Sequence, residues 1–490
     1  MREISSEQRR HRIRAENPWW ADGRIRADFS ELRPRAYFDR FRRLVEEPGV
    51  RRAVVLMGSR RVGKTVLLHH VIAHLLAGDE YRPEDLGYMS LDQPLYTRLS
   101  IEEAADEIRQ SSGNADGLRV LFLDEIQYLA DWERHLKAFV DAHPNVKCVV
   151  SGSAAAALRL KSIESGAGRF TDFLLPPLTF HEYLDLRGIR GLIEHDQATD
   201  QYSTRDIGQL NRHFVDYVNF GGYPEAATSP AVRSDPGRYI GTDIVGKVLL
   251  RDLPSLYGIQ DVQELNALFA TLAYNTAQEV SIDTLARRSG VTKPTIRRYL
   301  EYLEAAFLIK VVHRIDHHAR RFKRATHFKV YVTTPSLRSA LFGLVTDDDE
   351  EMGPLAETAV FAQWFHSNVA LHYARWKNGE VDIVHLDRRQ QPSWCVEVKW
   401  SDRPGQVANE LNSLLAFTSR HRGAKPLVTT RTLTDDDVQW PGEVRLDYIP
   451  TSLYCYIVGH NAVRDQLEKM RRFVGDGSGG AEPGFRAVPN

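Results

Sequence analysis

Cysteine is scarce, with only Cys148, Cys395 and Cys455 in 490 residues. They are scattered, with neither metal-ligand spacing nor a disulfide framework, which excludes a fold stapled by zinc or by disulfides. Long apolar runs are missing too. No stretch is long enough to span a bilayer, and the N-terminal MREISSEQRRHRIR has no signal-peptide core, so no membrane partner and a cytoplasmic location are expected. Net charge is −1, from 64 basic and 65 acidic residues, so any nucleic-acid contact must come from local basic patches. Internal repeats are absent. What is present, 42% hydrophobic and 26% charged residues, is ordinary material for about three domains of ~150 residues.

The organising stretch is AVVLMGSRRVGKTVLL, residues 53–68. Ala53–Met57 reads as a strand, Gly58–Lys64 as a loop and Thr65–Leu76 as an apolar-rich helix. Gly58, Gly63, Lys64 and Thr65 fit the phosphate-loop pattern G-x-x-x-x-G-K-[ST], in the required order of strand, loop and helix. Glycine lets the backbone curl, so that the loop of Gly58, Ser59, Arg60, Arg61, Val62, Gly63, Lys64 and Thr65 turns its N–H groups toward phosphates. The following helix adds its positive N-terminus. Lys64 can then reach the β and γ phosphates while the Thr65 hydroxyl ligates Mg²⁺. The residues alone predict an ATP or GTP site.

Gly87–Leu91 is a candidate strand, and Ile101–Arg109 a helix. LRVLFLDEIQYL (residues 118–129) is an apolar strand ending in Asp-Glu, the second element a phosphate site needs. Asp124 would hold Mg²⁺ through water, and Glu125 would polarise the attacking water. Val146–Ser153 is the next strand. Ser151 or Ser153 at its end would face the nucleotide, with Ser153 taken as the contact. GAGR (residues 166–169) then sets Arg169 on a glycine-flexed loop. Arg169 is either an arginine finger supplied to the site of an adjacent subunit, which implies a homo-oligomer, or a carboxylate-paired surface residue.

These residues resemble a family. Gly58–Thr65, LDEIQ at 123–127, SGS at 151–153, AGR at 167–169, PPLTFHEYL at 176–184, FGGYPEA at 220–226 and VLLRDLPSLYGI at 248–259 are similar to the AAA-type ATPases of bacteria and archaea that carry a C-terminal domain of unknown function. The resemblance runs from about Pro18 to about Ile457. Ser59 departs from it, because the family often has proline there, at a variable motif position. The resemblance implies ATP rather than GTP as cofactor, with Mg²⁺.

Residues 1–45 are rich in arginine and carry Trp19 and Trp20. A surface segment pinned by two buried indoles is preferred to an arm that reaches a neighbour or nucleic acid. Residues 205–260 read as a helical connector. VSIDTLARRSGVTKPTIRRYLEYLEAAFLI (residues 280–309) has the pattern of a helix-turn-helix, and the stretch after it that of a wing hairpin. Lys293, Thr295, Arg297 and Arg298 fall on the candidate recognition helix. Arg320 and Arg321 fall on the wing, among His317, His318, Lys323 and Arg324. Such clusters suit DNA phosphates; a winged helix used for protein contact is the alternative.

From about residue 325 the chain reads α/β. Glu357 lies on a helix, Asp382 on a strand in GEVD, and Glu397 and Lys399 on the next strand in EVK. Alternation along strands places two carboxylates and an ammonium on one side. Asp382 and Glu397 could hold Mg²⁺, Lys399 could activate water, and Glu357 could complete the set. The arrangement resembles the core of the PD-(D/E)xK nuclease superfamily. An ion-paired strand face, or a decayed core kept for binding, is the other reading. The tail 475–490 is rich in glycine and proline and is expected to be disordered.

The expected architecture is α/β and multidomain. It comprises an N-terminal arm (1–45), a P-loop NTPase parallel sheet with helices on both faces (46–190), a helical connector (191–265), a winged helix (266–325), a nuclease-like α/β domain (326–460) and a tail (461–490). Three functions compete: an ATP-driven DNA-binding machine, an ATP-dependent switch for a protein partner with a non-cleaving C-terminal domain, and a metal-dependent nuclease licensed by the ATPase.

Overall fold

Five parallel strands form one sheet: β1 (Ala53–Met57), β2 (Leu86–Ser90), β3 (Val120–Asp124), β4 (Lys147–Gly152) and β5 (Phe170–Leu174), in the order β2-β3-β4-β1-β5. Each position of β1 and β3 is buried, as in strands covered on both faces. The connection from β1 to β2 runs one way along the sheet and that from β2 to β3 runs back. Right-handed crossovers then place their helices, Lys64–Ala77 and Ile101–Ser112, on opposite faces. This is the parallel sheet of a P-loop NTPase.

The computed structural model describes residues 6–47, 51–96, 99–114, 117–129, 131–152, 168–322, 326–367, 369–435, 438 and 445–475. The chain divides between Pro176 and Pro177 into two units. Residues 6–46 do not stand apart from the first unit as an arm. The helix Ser6–Glu16 packs on the helix Ile101–Ser112, and Trp19 is fully buried. Both indoles donate to the Leu86 carbonyl, Trp19 at 3.1 Å and Trp20 at 2.9 Å.

The second unit holds a two-stranded hairpin, β6 (Ile193–Asp196) and β7 (Gln201–Thr204), and one large sheet. The large sheet comprises β8 (Glu279–Ser281), β9 (Ile309–Ile315), β10 (His327–Val332), β11 (Leu371–Trp376), β12 (Gly379–Leu386), β13 (Pro392–Glu397), β14 (Lys425–Thr430) and β15 (Asp447–Pro450). Their order is β15-β14-β13-β12-β11-β9-β10-β8.

That topology corrects the expected boundaries. β9 pairs in parallel with β11, so the strands assigned to 266–325 and to 326–460 share one sheet. The helix Phe180–Leu186, assigned to the ATPase domain, buries Phe180, Tyr183 and Leu184 in the core of the second unit, with Phe214, Tyr217 and Leu453. The boundary at 190 therefore moves to 176. Residue 461 lies within the helix Thr451–Gly475 and begins no tail. Residues 476–490 lie outside the described residues. Gly237–Gly246 and Val248–Asp252, within the expected connector, wind as π-helix.

Candidate functional site

The sheet order explains the first site. β4 lies between β1 and β3, with Leu56 opposite Ser151 and Leu123 opposite Val150. The ends of β1, β4 and β3 therefore deliver the phosphate loop, Ser151 and Asp124 side by side at one edge. Ligands bind at such carboxyl edges.

Gly58 has no room for a side chain, because a Cβ there would meet the Leu175 carbonyl oxygen at 2.4 Å. Gly63 caps the next helix at φ 97°, a conformation that glycine adopts at little cost. The Lys64 ammonium is buried and donates to the loop carbonyls of Gly58 and Ser59 at 3.1 and 2.9 Å. Ser59 Oγ is buried without a hydrogen-bond partner among the described residues. The cramped glycine, the inward ammonium and the orphaned hydroxyl fit a loop that curls around an anion.

Asp124 is held by four donors. Its Oδ2 accepts from Thr65 Oγ1 at 2.6 Å and from the Tyr88 hydroxyl at 3.0 Å. Its Oδ1 accepts from Ser151 Oγ and from the Glu125 N–H, the latter at 3.1 Å. Glu125 sits in the left-handed region at φ 57°, ψ 48°, unusual for a residue with a Cβ and a form of strain that collects at working sites. Burial holds its carboxyl above the usual range and the Asp124 charge adds to this, while Lys64 opposes. Gln127 donates to Glu125 Oε2. Thr65 and Asp124 are the residues that could hold Mg²⁺.

The structure brings Lys64, Thr65, Asp124, Glu125 and Ser151 together. Ser153 lies outside the described residues; of the two serines considered, Ser151 is seen on Asp124. Tyr88 carries no motif and only strand pairing reveals it. Arg35 also went unread. It is buried and donates to Val62 O of the phosphate loop at 2.8 Å and to Pro176 O at 3.0 Å.

Arg169 lies away from its own chain's phosphate loop. It precedes β5, and its carbonyl accepts from the N–H of Ala53 at the start of β1. The phosphate loop leaves the other end of β1, about 13 Å away at ~3.3 Å per residue. Its guanidinium is ion-paired with Asp141 at 2.5 Å.

In the second unit, Lys293, Arg297 and Arg298 lie on the helix Lys293–Ala305 and are exposed, as are Arg320 and Arg321 after β9. Lys293 is paired with Asp283 at 2.6 Å, and the Thr295 N–H is bonded to the Thr292 hydroxyl that caps the helix. Lys323 and Arg324 lie outside the described residues. The expected second metal site is also corrected. Glu357, on the helix Met352–Trp364, and Asp382, on β12, do meet, but the Lys329 ammonium stands between them at 2.8 and 3.3 Å. Lys399 donates to Glu397 at 2.8 Å. Among the described residues, no group of three or more His, Cys, Asp or Glu is placed to hold a metal ion.

Residues 50–184 match the family model of an AAA domain. The chain carries an AAA-type domain. Residues 211–348 of the same chain match a domain of unknown function, DUF8612. An uncharacterized protein of Methanocaldococcus jannaschii is 22% identical over 72% of this chain and 76% of its own length. Another, from Haemophilus influenzae, is 23% identical over 67% of this chain and 78% of its own. Among solved structures, the Saccharomyces cerevisiae Hsp104–ADP complex is similar at 15% identity and a TM-score of 0.30, over 56% of this chain and 39% of that one. The Aeropyrum pernix ORC2 protein is similar at 13% identity and a TM-score of 0.27, over 65% and 94%. Likenesses this slight carry no argument. No helix among the described residues is long and apolar enough to cross a membrane.

Proposed function

We propose that the chain binds and hydrolyses ATP in its AAA-type domain, and that the nucleotide state governs how the second unit engages DNA. The observation that carries hydrolysis is the convergence of Lys64, Thr65, Asp124 and Glu125 at one sheet edge, with Ser151 fixing Asp124. Lys64 draws the phosphates, and Glu125 orients and polarises the attacking water. Thr65 and Asp124 would hold Mg²⁺, which would supply charge neutralisation of the phosphates. Arg169 acts in the site of a neighbouring copy, which makes the working form a homo-oligomer.

We read the helices Ile282–Ser289 and Lys293–Ala305 with the β9–β10 hairpin as a winged helix, and the exposed Arg297, Arg298, Arg320 and Arg321 as its phosphate contacts. A second reading, an ATP-gated switch for a protein partner, is favoured by the engagement of Lys293 with Asp283, which occupies one candidate phosphate contact.

ATP turnover with and without DNA, in wild type and Glu125→Gln, tests both readings. DNA-stimulated turnover lost in the variant supports the first, and DNA affinity should then fall steeply with salt and with neutralisation of the four arginines. Turnover indifferent to DNA, with no DNA binding at low salt, selects the protein switch.

A further inference from the structure

Lys329 is a cation that no motif announces, set in FKVYV among apolar strand residues. Lys329 and Tyr331 fall on the same face of β10 by strand alternation. The side chain of Lys329 is 3% exposed. Its Nζ lies 2.6 Å from Glu380 Oε1, 2.8 Å from Glu357 Oε1 and 3.3 Å from Asp382 Oδ1. It also stands 5.5 Å over the ring of Tyr373. The Tyr331 hydroxyl donates to the same Glu357 oxygen at 2.6 Å.

Of the remaining oxygens, Glu380 Oε2 is ion-paired with the Arg375 guanidinium at 2.8 Å. Asp382 Oδ2 accepts from the Val398 N–H at 2.9 Å. Glu397 Oε1 accepts from Lys399, while Glu397 Oε2 is buried with no partner among the described residues. A divalent ion needs several oxygens converging on one point at about 2.0–2.6 Å. An ammonium offers three donors to the same kind of oxygens, and two cations cannot share one point. The carboxylates are of the kind a divalent ion takes, but they converge on the lysine.

We propose that the ammonium of Lys329 is a resident cation that takes the place of a divalent metal among Glu357, Glu380 and Asp382. In the native chain the cluster is then a closed ion-paired tie between β10, β12 and the helix Met352–Trp364. Removing the ammonium uncovers a latent divalent-cation site. The inference rests on the second unit alone and is independent of the ATPase reading.

Mn²⁺ titration of the full-length, nucleotide-free chain tests it, with binding read by calorimetry. The proteins are wild type, Asp382→Asn, Lys329→Met and Lys329→Met with Asp382→Asn. Lys329→Met should take up one Mn²⁺ per chain more than wild type, and the added Asp382→Asn should abolish that gain. Wild type and Asp382→Asn should take up equal Mn²⁺. A wild-type site lost in Asp382→Asn overturns the proposal, as does a folded Lys329→Met that gains no ion. If Lys329→Met does not fold, the comparison of wild type with Asp382→Asn decides: equal uptake supports a closed cluster and unequal uptake overturns it.

Discussion

The Thr65 hydroxyl donates to Asp124 Oδ2 at 2.6 Å, joining the first turn of the phosphate-loop helix to the end of β3. The two side chains are 59 residues apart in sequence and meet because β4 holds β1 and β3 at a fixed spacing. Ser151 and Tyr88 bond the same carboxylate. Asp124 is thus oriented before any ligand arrives, and little reorganisation is left for binding.

From this arrangement the chemistry separates by residue. Lys64→Ala should abolish ATP binding. Glu125→Gln should retain ATP and lose turnover by about 10²–10⁴-fold, the range for a positioned base. Ser151→Ala should lower kcat by a smaller factor with KM nearly unchanged, because it removes a support of Asp124 and no phosphate contact. Single-turnover kinetics beside equilibrium ATP binding check all three. Normal turnover by the Glu125→Gln protein would sink the base assignment.

Arg35 braces the loop from the side by reaching both Val62 O and Pro176 O. A lysine keeps the charge but lacks the planar fork that serves two carbonyls at once. Arg35→Lys should therefore weaken ATP binding and lower the unfolding temperature of the first unit, at about 1–3 kcal/mol for a buried acceptor left unmade. Thermal unfolding with and without ATP separates the effects. An unchanged Kd would show that the loop holds its shape without this brace.

Local patterns made the first site legible and left the second misread. β1 has the bounds expected from its apolar run, and Lys293, Thr295, Arg297 and Arg298 share one helix, as the sequence pattern predicts. Asp124 and Glu125 were readable because motif and strand end coincide. Tyr88 and Arg35 were not, since each acts through a strand pairing or a long-range bond that no local pattern encodes. Lys329 left a faint signal, a lone charge in an apolar strand, but only the fold shows that it reaches Glu357 and Asp382. The boundary expected at 325 failed for the same reason. The parallel pairing of β9 with β11 is a non-local event.

The carboxylate cluster predicts a pH effect. Burial pushes Glu397 up to about 8 and Glu357 up to about 7, with the Asp382 charge adding to both, from ordinary values of 4.5. A carboxyl that keeps its proton longer when folded makes the native state the greater proton binder between its two pKa values. Stability therefore falls as pH rises through about 4.5 to about 8 and levels off above that window. Glu397→Gln removes one such group. Its unfolding temperature should be flatter across the window and higher than wild type at the alkaline end, by on the order of 5 °C. Parallel slopes for the two proteins would mean that Glu397 ionises in the folded chain as it does unfolded.

Arg169 gives the sharpest test of assembly. Its position by the start of β1 puts its own phosphate loop out of reach, and its pairing with Asp141 gives it a resting place when no neighbour is present. If it completes the site of another copy, Arg169→Ala should bind ATP as wild type does and lose turnover by about 10³–10⁵-fold, the range for arginine fingers. Lys64→Ala should be inactive for the opposite reason, having the arginine but no phosphate loop to serve. Mixed, the two inactive proteins would form head-to-tail contacts in which an intact loop faces an intact Arg169, so activity should return and grow with protein concentration. A mixture as inactive as its parts, in a preparation shown to exchange subunits, would return Arg169 to the role of a surface arginine paired with Asp141.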